Sequence, residues 1–300
     1  MAETGRLQTG TAMPTLARPR SKLRTFGRTV RAKPIGAIAG LVCILLVAVA
    51  VFAEFLATHG PADVGTERLT SPSRDYFLGT DNLFRDMYSR IVYGSRITIG
   101  IGFASVAIGT IAGTVLGLIS GYFSGWVDMV VARFMDVILG IPPLVLAIFV
   151  LTIWEPSVVS VSVAIGLIIT PTTARVVRSA VFSIRTLQYI EAAQAVGNGS
   201  IRIIVRHVLP NVVAPIIVIA SIQIGNAILA EAALSFLALG VGSDEQPSWG
   251  RMLQDTRQFW HSHWWTAVMP GAAISLAVLS FNIFGDALRD ILDPRLRGTG

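Results

Sequence analysis

Between Ile35 and Ala53 the chain carries no charged side chain, a run long enough to cross a hydrocarbon layer of about 30 Å as a helix. Similar stretches recur at Ile97–Ile119, Val158 to about Thr173, Val212–Phe236 and Thr266–Phe284, and one from Asp128 to about Ile153 begins with charges before turning apolar. No single soluble core can bury so many such segments. In lipid the backbone must satisfy its own polar groups, which selects helices. The expectation is an all-α integral membrane protein of six transmembrane helices. Its 53% hydrophobic and 14% charged residues agree, since a soluble domain carries about a quarter charged.

The spans divide the chain into a basic arm (1–33), a first span (34–57), an external loop with an interfacial helix (58–96), a five-helix core (97–288) and a tail (289–300). The arm holds eight Arg or Lys against one Glu, which places it in the cytoplasm and, with its lack of hydrophobic period, predicts disorder. Its apolar neighbour is longer than the core of a cleaved signal peptide and reads as a retained span. Between Arg175 and Arg206 there are five Arg and one acid, Glu191, so this loop is cytoplasmic too. The net charge of +6 is thus explained by topology, and nucleic acid is not implied. The lone Cys43 excludes an internal disulfide.

Local patterns refine the plan. Leu83, Phe84, Met87, Tyr88, Ile91 and Val92 share one helical face and Arg85, Asp86, Ser89 and Arg90 the other, predicting a helix along the membrane surface. Gly109, Gly113, Gly117, Gly121 and Gly125 fall every fourth residue and allow a neighbouring helix close approach, within this subunit or across an interface. Gly121 to Asp128 reads as a short inner loop. Arg133 and Asp136 are spaced to pair, Pro142-Pro143 predicts a bend, and Pro171 predicts a break in the fourth span. Pro143, Gln223, Asn226 and Glu231 are candidates for a translocation path, the last three being polar groups inside an apolar helix. Helix-to-helix hydrogen bonding is the alternative. Trp249, Trp260, Trp264 and Trp265 suit an interfacial belt. His261 and His263 lack further ligands at metal-binding spacing, so no metal site is expected.

The longest polar interval of the second half is Glu191-Ala192-Ala193-Gln194-Ala195-Val196-Gly197, followed by His207-Val208-Leu209-Pro210-Asn211. Leu187, Ile190, Ala193 and Val196 recur at helical spacing, Gly197 ends that helix, and Asn198-Gly199 turn the chain. Ser200 is positioned to cap a second short helix. Two short helices between membrane spans, with small residues facing outward, make a docking surface.

These residues resemble the cytoplasmic coupling loop (185–210) of ATP-binding-cassette importer permeases. The match lies at Glu191, Ala192, Ala193, Gly197, Leu209 and Pro210, while His207 and Asn211 resemble the dipeptide and oligopeptide branch, whose C-type subunit the chain is similar to over roughly residues 75–297. Gly79-Thr80-Asp81, Arg85-Asp86 and Ser89-Arg90 are similar to a peptide-permease segment, except that Phe84 stands where the family usually has Gly. The resemblance implies the type I importer permease fold, a bacterial inner-membrane location with both termini cytoplasmic, and Ser200 joining the coupling residues. It also implies a heterodimeric partner permease, two cytoplasmic ATPase subunits or domains that bind ATP and Mg, and an extracytoplasmic substrate-binding protein. Di- and oligopeptides are the expected cargo, with nickel, haem and glutathione as alternatives within the family.

Missing motifs agree. Lys22 and Lys33 are the two lysines, preceded by Ser and Ala, so the phosphate loop Gly-Lys-Ser/Thr is absent and no ATP is expected to bind this chain. Neither His-Glu-x-x-His nor Gly-x-Ser-x-Gly occurs, against an intramembrane hydrolase. An ion-coupled secondary transporter is the remaining rival, with Glu231 and Asp136 as its proton carriers.

Overall fold

The computed structural model describes residues 33–243 and 245–292. The expectations for the rest of the basic arm and for the tail beyond 292 therefore lie outside the described residues. The elements are α1 (Pro34–Val51), α2 (Ala53–Leu56), α3 (Met87–Phe123), α4 (Gly125–Gly140), α5 (Pro143–Ile153), α6 (Val158–Arg185), α7 (Gln188–Ala195), α8 (Ser200–Ile203), α9 (Leu209–Phe236), α10 (Trp249–Asp255) and α11 (Trp265–Leu292). Five helical stretches are long and apolar enough to cross a membrane, and α4 with α5 makes up to six if that bent pair counts as one. The described residues contain isolated β-bridges but no strand.

The most extensive helix contact joins α3 and α6, and glycines make it possible. A Cβ on Gly113 would come within 2.6 Å of the Thr173 Cβ and 2.7 Å of the Thr170 carbonyl oxygen, and one on Gly117 within 2.7 Å of Ala174 O. Gly109 meets Gly166 and Ile169, and Gly121 meets Val181, so contacts advance in the same direction along both helices. The two run parallel. The four-residue glycine repeat is thus an internal seam; Gly125, by contrast, faces open space. α9 returns antiparallel, with Gly102 of α3 against Ile228, and α11 reverses again, with Gly225 against Asn282 and Gly285 against Ile222. α1 closes the bundle against α11, where Gly36 meets Ala287 and Lys33 pairs with Asp290. Both described ends of the chain therefore lie at the end of the bundle where α3 and α6 finish.

Several sequence expectations need correction. Residues 87–96 are not a separate surface helix; they are the first turns of α3, whose 37 residues span about 55 Å. The supposed solvent face is buried, as are Met87 and Val92: Arg85, Asp86, Ser89 and Arg90 are at most 4% exposed. Their charges are met by the preceding loop. Asp81 accepts from the Arg85 guanidinium at 2.7 Å and from two backbone N–H groups, while Arg90 Nε lies 3.6 Å from the same carboxylate and its Nη1 donates to Pro61 O at 2.8 Å. Asp86 caps α3 by accepting from the Ser89 N–H at 2.9 Å and also takes the Thr58 hydroxyl at 3.1 Å. Phe84 adopts φ +64°, the left-handed conformation that glycine takes without strain.

The expected inner loop at 121–128 shrinks to one residue outside the helices, Ser124 at φ +57°. Asp128 is then held to Arg178 by two bonds of 2.5 and 2.6 Å. Pro171 does not break its span; α6 is one helix through it, and the preceding Thr170 hydroxyl bonds Gly166 O. The Pro142-Pro143 bend is present and large, 93° between α4 and α5. Residues before proline avoid the helical region, so Ile141 and Pro142 are both extended and the helix breaks outright. Asp136 does approach Arg133, at 3.8 Å, but its shorter partner is Arg175 of α6, at 2.7 Å. Trp249 and Trp265 leave the expected aromatic belt: both are buried, and the Trp249 indole donates to Ile91 O at 2.8 Å. Trp260 and Trp264 remain exposed.

Candidate functional site

The hairpin between α6 and α9 is held to the bundle by three apolar pegs. Ile190, Ile203 and Val208 are buried in one cluster with Leu118 and Tyr122 of α3 and Val177 and Val181 of α6. α7 stops in a Schellman motif: the Gly197 N–H donates to Gln194 O at 2.9 Å and the Asn198 N–H to Ala193 O at 3.2 Å, which requires the left-handed φ of +84° at Gly197. The Asn198 side chain adds a bond to Ala193 O at 3.0 Å. Ser200 does not cap α8. Gly199 occupies the cap position and no side chain bonds there.

The second short helix is also not free-standing. α8 passes through a π-helical turn, Ile204–Val208, directly into α9, and the hairpin and fifth span form one apolar helical stretch from Ser200 to Phe236. Pro210 has no N–H and its ring crowds the carbonyl four residues back, so an i→i−5 bond, Leu209 N–H to Ile204 O, relaxes the approach. Leu209 packs against the hairpin cluster. His207 lies beside Tyr189, and Asn211 bonds both His207 O and the Tyr189 hydroxyl, at 2.6 and 3.3 Å, tying α7 to the start of α9.

The opposite side of the hairpin is open. Glu191 and Ala192 are exposed, Ala193 is half-buried, and no neighbouring atom approaches Gly197. Beside them Val196 is 82% and Ile201 78% exposed, with Val205, Leu187 and Tyr189 also largely uncovered. These exposed apolar side chains lie in a segment that also carries Glu191, Arg202 and Arg206.

A cleft of about 510 Å³ opens between α5, α6 and α9. Pro143 begins one wall, and Gln223 and Asn226 stand on another, joined by a bond of 2.9 Å. Glu231, grouped with them in the sequence, is not among the lining residues. It is fully buried on α9, where it accepts the Ser235 hydroxyl at 2.7 Å. Thr172 is a lining residue that the sequence did not single out; it sits in the Pro-Thr-Thr run of α6, and the neighbouring Pro171 was the available signal. Among the described residues, no group of three His, Cys, Asp or Glu could hold a metal ion.

A parallel helix pair, a broken span, a cleft and a hairpin projecting from one end form the frame of a transport subunit, and comparison supplies its family. Residues 113–298 match the model for the binding-protein-dependent transport system inner membrane component. The chain belongs to that family. It is 44% identical over 263 residues to the dipeptide transport system permease protein DppC of Alkalihalophilus pseudofirmus, covering 87% of this chain and 86% of that one. It is 37% identical to the di/tripeptide transport system permease protein DppC of Pseudomonas aeruginosa, covering 95% of each, and 39% identical to the glutathione transport system permease protein GsiD of Pectobacterium atrosepticum, covering 93% of each. In fold it is similar to a chain of the MetNI methionine ABC transporter, with a TM-score of 0.58 at 18% identity over 69% of this chain and 98% of that one. The permease is a multi-pass membrane protein, and the family match covers the last turns of α3 and everything from α4 through the hairpin to α11.

Proposed function

We propose that this permease is the subunit of an ATP-driven importer that carries di- or oligopeptides, and that it is moved through its hairpin by a separate ATPase. The single observation behind the coupling role is the hairpin itself: pegged into the bundle by Ile190, Ile203 and Val208, yet presenting Val196 and Ile201 to a partner. Force applied to such a turn is delivered to α6 and α9 together, since α7 follows α6 closely and α8 is continuous with α9. Those two helices form walls of the cleft, so tilting them changes its access. The relatives named for dipeptide and di/tripeptide transport support peptide as cargo.

In this reading the hairpin end faces the cytoplasm, in keeping with the five Arg between residues 175 and 206. A similar permease completes the path, two ATPase subunits hold the ATP and Mg, and a binding protein delivers cargo from the other side. This chain itself catalyses nothing. Replacing Val196 with Asp tests the coupling role, because the side chain is 82% exposed and its loss removes little packing. Reduced ATPase co-purification and ATP-driven uptake are expected. Normal uptake with the ATPases bound would refute the docking role, and uptake that survives ATP depletion but collapses with the proton gradient would favour a secondary transporter.

A further inference from the structure

The cleft is nearly all aliphatic, walled by side chains such as Ile165, Ile168, Ile219 and Ile222, and its polar side chains are Thr172 and the bonded pair Gln223 and Asn226. Among the described residues, none that lines it is ionisable. The pair lies near the middle of α9, which places it deep within the span. Asn226 donates through Nδ2 to Gln223 Oε1, and no other described helix supplies a bond to either side chain. That leaves the Gln223 NH2 group as donor and the Asn226 carbonyl as acceptor within one bonded pair. A peptide group carries the complementary set, one carbonyl acceptor and one N–H donor, whatever its side chains.

We infer that Gln223 and Asn226 recognise the peptide group itself, and that this half of the path is blind to the charge of the cargo. The inference rests on the peptide-importer reading and extends it to the chemistry of passage. A path must bind its cargo well enough to admit it and weakly enough to release it. A fixed carboxylate or guanidinium would hold oppositely charged peptides and repel the rest. A neutral amide pair holds all of them equally and loosely. The cleft has room for this, since about 510 Å³ far exceeds the space one water needs, so charged side chains and termini can keep water around them.

The experiment uses the complete importer in proteoliposomes and follows ATP-driven uptake of alanyl-alanine, alanyl-lysine and alanyl-glutamate. With Gln223→Leu, and separately with Asn226→Ala at the more exposed member, uptake of all three is expected to fall by a similar factor of about 3 to 10, the loss of a neutral hydrogen bond. Gln223→Glu is expected to separate them, favouring the lysine dipeptide over the glutamate one. The amount of assembled complex recovered controls for folding, and Asn226→Ala serves if Gln223→Leu does not assemble. Unchanged uptake in the Leu and Ala variants, or a loss confined to one dipeptide, overturns the inference while leaving the importer reading intact. Failure of the unmodified importer to take up any of the three overturns both.

Discussion

The loop before α3 and the hairpin between α6 and α9 are fastened to the bundle in different ways. At the loop end, Asp81, Arg85, Asp86 and Arg90 are buried, with Asp81 holding Arg85 and Arg90 and Asp86 holding Ser89 and Thr58, and the Trp249 indole pins α10 to the start of α3. At the hairpin end, contact with the bundle is chiefly apolar, through Ile190, Ile203 and Val208, and the tip beyond them is uncovered. A buried ionic network tolerates little displacement, because each charge that moves loses partners while still out of water. Apolar pegs are less directional and can slide or re-seat at small cost. Under the proposed coupling, motion enters at the hairpin end, and the loop end serves as the fixed collar.

Breaking the collar should have the largest effect. Asp81→Ala removes the carboxylate shared by Arg85 and Arg90, and losing one member of a buried charge network costs about 3–5 kcal/mol. Thermal unfolding in detergent should show the loss directly, together with a fall in membrane yield. Ile190→Ala comes next. Cutting back a fully buried Ile costs about 2–5 kcal/mol, but here the damage should stay local: hydrogen exchange should quicken across 187–199 while residues 79–92 are unaffected. A collar that loosens with it would mean that the two ends are one cooperative unit.

Val196→Asp should leave thermal unfolding within about 0.5 kcal/mol, as for most surface changes, and weaken ATPase binding about tenfold, measured by titration of the reconstituted complex. Smallest of all is Phe84→Gly. Relief of a left-handed non-glycine residue gains about 1–2 kcal/mol, offset by lost packing of a half-buried ring, so a rise of up to about 1 kcal/mol in unfolding free energy is expected. A decrease would show that Phe84 is held there by its contacts.

What the sequence revealed follows the same division. The hairpin was legible because its geometry is local: Gly197 and Asn198 supply the chemistry of a Schellman turn within a few residues. Phe84 was legible as a departure, and it occupies the conformation that its usual glycine would suit. The collar was misread. The helical period holds from Met87 onward, while residues 83–86 form a turn and the helix cap; that the polar side is buried too depends on Asp81, Pro61 and Thr58, and periodicity is silent about partners in a preceding loop. The path candidates parted for a similar reason. Gln223, Asn226 and Glu231 are all polar residues on one apolar helix, yet the 3.6-residue turn points Glu231 to a different side, where it meets Ser235 while the first two line the cleft. Ser200 looked like a cap by residue type, and the backbone used Gly199 instead.

Amide hydrogen exchange of the reconstituted permease, with and without its ATPase subunits, tests the division of labour most directly. New protection is expected at residues 187–207 on adding the ATPases, and no change at residues 58–92. Protection that appears at 58–92, or a hairpin that exchanges identically in both samples, would contradict it.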